Sequence, residues 1–164
     1  MFKNAYDYLK NTPTSNFSPS EWPVPEDLKY VNAEVLYNLD ITRYAFGRSV
    51  FPSGVPDGLV RRTGSKNSRH YIGDGSLGKA VDVFPSVAVM DFWICAVENT
   101  VWQGIGVYLD TNVNRRQPQP MVHLDIDRRK HGNRVFWVRN RGEYIYKHEE
   151  PEKFWDLIAE ASTR

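Results

Sequence analysis

Cysteine is almost absent from this 164-residue chain: Cys95 stands alone, so no internal disulfide can form. Its setting, VAVMDFWICAV, reads as that of a small buried hydrophobe and suits a reducing compartment. Excess charge of one sign is missing as well. Twenty-one Lys and Arg oppose twenty Asp and Glu, a net charge of +1, which gives no general attraction to nucleic acid or to an anionic membrane. No apolar run approaches the length of a membrane span, which is about 20 residues. The opening MFKNAYDYLKNTPTSNFSPSEWPVPEDLKY has neither the apolar core nor the small-residue cleavage site of an export signal. Internal repeats and low-complexity tracts are lacking too. These absences move the search for function from bulk properties to a local site.

What is present is one core's worth of apolar residues, 41% of the chain with 13% aromatic, which sets the expectation of a single domain. Pro13, Pro19, Pro23 and Pro25 lie among Ser, Thr and Asn, so residues 1–25 read as an extended lead-in on the surface and 26–164 as the folded domain. From Pro25, Leu28, Val31, Val35 and Leu39 recur at helical spacing, with Leu36 and Ile41 on the flank, predicting one amphipathic helix that stops at Gly47. RSVFPSGVPDGLVRRTGSKNS reads as loop with a short strand at 49–51. KAVDVF alternates, placing Val81 and Val83 on one face and Asp82 on the other. Ser86 is placed to cap a helix from Val87 to about Glu98. GIGVYL and MVHLDI read as strands; in the second, Val122, Leu124 and Ile126 share one face, His123 and Asp125 the other. RVFWVR and EYIYK predict a hairpin turning at 140–142, and EEPEKFWDLIAEA a closing helix with Phe154, Leu157 and Ile158 inward. The expected fold is α+β, a mainly antiparallel sheet flanked by helices.

The stretch SRHYIGDGSLGKAVDVFP sets His70 and Asp82 at the ends of a loop holding Gly73, Gly75 and Gly78. Clustered glycines mark a shaped loop rather than a regular element. With His123 on a separate strand, His70 and Asp82 make a candidate metal site. Zinc accepts imidazole nitrogen and carboxylate oxygen, and three protein ligands leave a fourth position open. The helical zinc motif HExxH is absent. His131 and His148 lie in polar settings and read as exposed and idle, Trp93 and Trp102 as core, and residues 127–139 as a turn and a strand rather than a nucleic-acid surface.

Ser68 and His70, then Gly78, Ala80 and Asp82, then GIGVY, then MVHLDI followed by RVFW, resemble the zinc D-alanyl-D-alanine carboxypeptidases and phage peptidoglycan endopeptidases. That superfamily includes the lysostaphin-type enzymes and the hedgehog domain. FSPSEW and the segment from RYAFGRSV into PSG extend the likeness over roughly residues 17–140. The resemblance implies a hedgehog-like α+β fold, Zn²⁺ held by His70, Asp82 and His123, and hydrolysis of a peptide bond in bacterial peptidoglycan. With no export signal visible, it implies a phage endolysin that stays in the host cytoplasm until release, or a virion-associated lysin. The alternative on the same scaffold is a zinc-containing binding or structural virion protein without activity.

The chain departs from the family pattern in three places. The gap between His70 and Asp82 is longer. Where relatives carry a carboxylate or a further histidine shortly before the last ligand, this chain has Pro120 and Met121, so the general base does not transfer. Asp125, two residues beyond His123 on the same face, is the nearest substitute, its other reading being a carboxylate that orients the ligand imidazole; Asp110 is the second candidate, its other reading a turn former. The family arginine that pairs with a substrate carboxylate is displaced here to Arg61 or Arg62, or lost, while Ser68 is placed to hold a substrate oxygen.

Overall fold

The structure is a computed structural model that describes residues 2–54, 56–86, 89–111, 119–129 and 132–163. The lead-in is not wholly extended. Asn4 accepts a hydrogen bond from the Asp7 amide at 2.9 Å and so caps helix α1, Ala5–Asn11. Ala5, Tyr8 and Leu9, spaced for one helical face, are buried, and Phe17 and Trp22 further along join the same core. The reason this segment docks is a buried carboxylate. Asp40 accepts from the Tyr8 hydroxyl at 2.8 Å and from the Asn16 amide at 2.7 Å.

The single helix expected from Pro25 to Gly47 is two pieces. Pro25–Tyr30 forms a 3-10 segment, Val31 turns extended to bridge Gly78, and Asn32 restarts the chain by capping the Glu34 amide of α2, Ala33–Phe46. Gly47 ends α2 in the left-handed region, φ 68°. Leu28, Val31, Val35, Leu36 and Leu39 are buried as their spacing predicts, whereas Ile41 is exposed. Helix α3 is Val89–Glu98 and α4 is Pro151–Ser162, the latter burying Phe154 and Ile158 with Leu157 partly buried. The cap expected at Ser86 and Val87 falls partly outside the described residues, as does the position of His131.

The six strands are β1 Val50–Pro52, β2 Ala80–Pro85, β3 Gly104–Tyr108, β4 Met121–Asp125, β5 Val135–Asn140 and β6 Glu143–Tyr146. They form one sheet in the order β1-β2-β4-β3-β5-β6. Four of the five pairings are antiparallel and β3 with β5 is parallel, so the fold is α+β with a mixed sheet. The β5–β6 hairpin turns through Arg141 and Gly142, both at positive φ, the geometry that matches strand twist in a two-residue loop.

Register sorts the two sheet faces. Val81, Val83, Ile105, Val107, Val122, Leu124 and Val138 belong to the main core, with Trp102 fully buried and its indole N–H donating to the Thr42 hydroxyl at 3.0 Å. The opposite face carries Asp82, paired across from His123, then Gly106 beyond His123, then Trp137 beyond Gly106. This second face is not bathed in solvent, since His123 and Asp125 are both buried.

Candidate metal centre

A cleft of about 820 Å³ opens on that second face. Its floor is the strand pair β2–β4, and one wall is the segment from Ser53 to His70. The glycine-rich stretch that delivers His70 is held at several points. The Arg61 amide donates to the His70 carbonyl at 2.7 Å, the Ile72 amide to the Arg61 carbonyl at 2.9 Å, and the Lys79 amide to the Arg69 carbonyl at 2.8 Å. Gly78 bonds Tyr30 through its amide and Asn32 through its carbonyl, so the loop is stapled to the chain that precedes α2. Gly75 provides the one left-handed turn this path needs, at φ 84°. The Ser68 hydroxyl accepts from the His70 amide at 3.3 Å, placing Ser68 as a support for the ligand loop at the cleft wall.

The three residues singled out by sequence converge. His70 Nε2 lies 3.2 Å from His123 Nδ1, His123 Nδ1 lies 2.8 Å from Asp82 Oδ1, and His70 Nε2 lies 3.4 Å from Asp82 Oδ1. Donor atoms about 2.1 Å from a tetrahedral ion stand roughly 3.4 Å apart, so the triangle is of the right size, drawn in slightly on its carboxylate edge. The far sides of the rings agree with this fit. His70 Nδ1 faces the Leu59 carbonyl at 3.2 Å; a carbonyl only accepts, so the proton is on Nδ1 and the Nε2 lone pair faces the triangle. His123 Nε2 faces Asp125 Oδ2 at 3.5 Å, which leaves Nδ1 for the triangle in the same way. His70, Asp82 and His123 thus form a buried group able to hold a metal ion.

Asp125 is fully buried, and its carboxylate accepts from the Arg129 guanidinium at 2.7 Å and from the Asp127 amide at 3.1 Å. It stands across the His123 ring from the triangle, the place of an orienting carboxylate and not of a base reaching into the cleft. Asp110 does not line the cleft. It accepts from the Gly142 amide at 2.8 Å and lies 3.5 Å from Arg139, securing the β5–β6 turn as a turn former does. The two arginines separate: Arg61 lines the cleft with its Nε buried and without a hydrogen-bond partner, while Arg62 turns away to Asp27 at 2.7 Å and over the Tyr30 ring. Trp93 and Trp102 are core, and His148 is exposed, as expected.

Burial works against the charges of His123, Asp82 and Asp125, yet the contacts these three make prevail. His123 is pushed down by burial, but its bonds to Asp125 and Asp82 and the charges of both raise it to about 9. Asp82 is pushed up by burial and then held well below the usual carboxylate range by His70 and His123. Asp125 is likewise pushed up by burial and lowered further by His123 and Arg129.

Residues that motif reading passed over complete the floor. A Cβ on Gly104 would lie 2.0 Å from Asp125 Oδ2 and one on Gly106 would lie 2.3 Å from the Trp137 ring, so the two glycines of GIGVY make the space that the orienting carboxylate and the indole occupy. The available signal was their period of two, which points both at one face of a strand beside the histidine strand. Tyr108 follows on that face, and Asp57 lines the cleft mouth 3.8 Å from Arg61.

Comparison with family models, with curated proteins and with solved structures returns no match for this chain. No helix among the described residues is long and apolar enough to cross a membrane.

Proposed function

We propose that this chain is a zinc-dependent peptidase of the phage lysin type that cuts a peptide bond of bacterial peptidoglycan, on a scaffold like that of the D-alanyl-D-alanine metallopeptidases and the hedgehog domain. The observation that carries the reading is the convergence of His70 Nε2, Asp82 Oδ1 and His123 Nδ1 at the floor of the cleft. The substrate class comes from the resemblance of the SRH, GKAVD and MVHLDI blocks. Zinc in this position supplies Lewis acidity, making water nucleophilic near neutral pH and polarising a carbonyl.

The chain's own residues do the rest. The Leu59 carbonyl and Asp125 fix the tautomers of the two ligand imidazoles. Arg61 presents its guanidinium to the cleft and suits a substrate carboxylate. Three carboxylates line the cleft among the described residues: Asp82 is a ligand and Asp125 is bound to Arg129, so proton transfer falls to Asp57. Asp125→Asn is expected to weaken zinc affinity by about 10- to 100-fold, as loss of an orienting partner does, measured by competition with a chromogenic chelator. Asp57→Asn is expected to keep zinc and to slow turnover by about 100-fold or more. Full zinc affinity in the first variant removes the orienting role from Asp125, and an unslowed second variant removes Asp57 as base.

A second reading has an observation of its own. Asp57 is largely exposed and tied to Arg61, so no unengaged carboxylate among the described residues adjoins the triangle, which suits a zinc-loaded binding module. One experiment separates the readings: mass spectrometry of purified peptidoglycan incubated with the zinc-loaded chain and with a chelator-treated control. New chelator-sensitive peptide termini establish the peptidase and name the bond. Intact peptides that retain the protein on sedimentation establish the binding module.

A further inference from the structure

The wall of the cleft opposite Arg61 is built by β3, β5 and β6. Their site-facing positions follow from register: Gly106 sits across from Trp137, Tyr108 from Arg139, Arg139 from Tyr144 and Trp137 from Tyr146. The result is a shelf of rings that begins at a metal-group imidazole. The Trp137 ring lies 5.2 Å from the His123 ring, and the Tyr108 ring lies 6.5 Å from it. Every polar group of the shelf can donate: an indole N–H and a guanidinium only donate, and the phenol hydroxyls donate as well as accept. Trp137 Nε1 is buried, in a side chain more than nine-tenths buried, and no acceptor meets it with good hydrogen-bond geometry, the Tyr108 hydroxyl being the group it acts on. An indole N–H can only donate, and burying it unpaired costs free energy unless something arrives to accept from it.

The Tyr108 hydroxyl stands among these donors. It lies in the field of Asp82 and within electrostatic reach of both the Trp137 N–H and the Tyr144 hydroxyl. The Arg139 guanidinium packs 5.5 Å from the Tyr108 ring centre and 5.9 Å from that of Tyr144, closing the outer end with a positive charge. A phenol at neutral pH keeps its proton, so the wall offers N–H, O–H and guanidinium groups toward the cleft. Such a wall is complementary to a ligand oxygen that carries negative charge, partial or full.

We propose that the Tyr108 hydroxyl binds the carbonyl or oxyanion oxygen of the ligand that occupies the cleft beside His70, Asp82 and His123, with Trp137 and Tyr144 as its positioning residues. Tyr108 is the contacting group because its ring adjoins His123 and lies 6.0 Å from that of Tyr144, and its hydroxyl is flanked by the Trp137 N–H and the Tyr144 hydroxyl, which can hold it in place. Gly106 has a part in this: a Cβ there would lie 2.4 Å from Trp137 Nε1, so its absence makes the room that the indole takes at this wall. The proposal rests on the metal reading of the site, and it assigns Tyr108 to ligand binding rather than to metal binding or to folding.

Acetohydroxamate, a small oxyanion-forming probe, tests this with the cobalt-substituted full chain, whose visible spectrum reports the probe's arrival without any turnover. Tyr108→Phe removes one oxygen and keeps the ring. It is expected to bind cobalt at wild-type stoichiometry and to bind acetohydroxamate about 10-fold or more weakly, the usual loss for a hydrogen bond to a charged group. Trp137→Phe is expected to retain cobalt and to weaken the probe by a smaller factor. Cobalt bound normally together with probe affinity within twofold of wild type in Tyr108→Phe overturns the proposal and leaves the metal reading standing. A wild-type chain that takes up no cobalt overturns both.

Discussion

His123→Ala is expected to leave less than roughly a tenth of the zinc that wild type retains, about one ion per chain, after dialysis against metal-free buffer. The size of the effect follows from the geometry. His123 supplies the atom nearest to Asp82 Oδ1, and its loss leaves one imidazole and one carboxylate to hold the ion. The fold is expected to survive, because the main core lies on the other side of the sheet and Asp125 keeps Arg129. Elemental analysis and circular dichroism of the same samples check both halves, and undiminished zinc removes His123 from the ligand set.

The same residue gives the pH dependence. In the metal-free protein His123 is raised from 6.5 to about 9, so at pH 7.5 it holds a proton between Asp82 and Asp125. Zinc uptake at that pH is expected to release about one proton, seen as a dependence of the calorimetric heat on buffer ionisation enthalpy. Because the folded value lies above the unfolded one, the protonated ring stabilises the metal-free fold fully below pH 6.5, and this contribution is lost as pH rises through about 9. The thermal midpoint of the metal-free wild type is expected to fall across that window, while zinc affinity rises across it.

Gly106→Ala is the second large effect, and it acts on stability. The new methyl would stand 2.3 Å from Trp137 Cε2 and 2.4 Å from Nε1, well inside van der Waals contact. Neither side can yield cheaply. Strand β3 is fixed by β4 on one side and β5 on the other, and the indole is packed between His123 and Tyr146. Overpacking of this kind costs about 3 kcal/mol, more than the gain of up to about 1 kcal/mol that alanine brings by restricting the unfolded chain. Urea unfolding is the measurement. Because the clash is with the nitrogen-bearing side of the fused ring, which phenylalanine lacks, Trp137→Phe in the same chain is expected to recover a large part of the loss, a coupling read directly from a double-mutant cycle. An unchanged midpoint in Gly106→Ala, or additive losses in the pair, contradicts this packing.

Strand patterns were plain in the sequence wherever one face was apolar. KAVDVF and MVHLDI alternate, and Asp82 and His123 fall opposite each other in the register. The helical spacing from Leu28 to Leu39 named the right buried residues but ran past a break at Val31, because an extended residue that bridges Gly78 does not disturb a hydrophobic period. The N-terminal helix was hidden for a different reason. Its anchor is the carboxylate of Asp40, a tertiary partner thirty-two positions from Tyr8, and four prolines nearby suggested loop. At the site, the group of His70, Asp82 and His123 was legible because the residue types able to hold a metal are few. The donor shelf was not, because Tyr108 and Trp137 look like ordinary strand aromatics until β3 and β5 are paired in parallel. Nor did residue type say which way Asp125 faces. Its role depends on Arg129, whose guanidinium binds the same carboxylate oxygen that faces His123.

Strand β4 lies between β2 and β3, although both precede it in the chain. Until residues 121–125 are inserted, the sheet exists at most as two separate ribbons, β1–β2 and β3–β5–β6, with no ladder joining them. The strand that closes the gap is the one that carries His123 and Asp125. Assembly of the ion-binding triangle and closure of the sheet are therefore one event, and a nascent chain that has left the ribosome only as far as Tyr108 has neither. Sequence-distant pairing of this kind is slow compared with helix formation. The triangle that could hold an ion therefore exists only once the long-range β2–β4 ladder has formed.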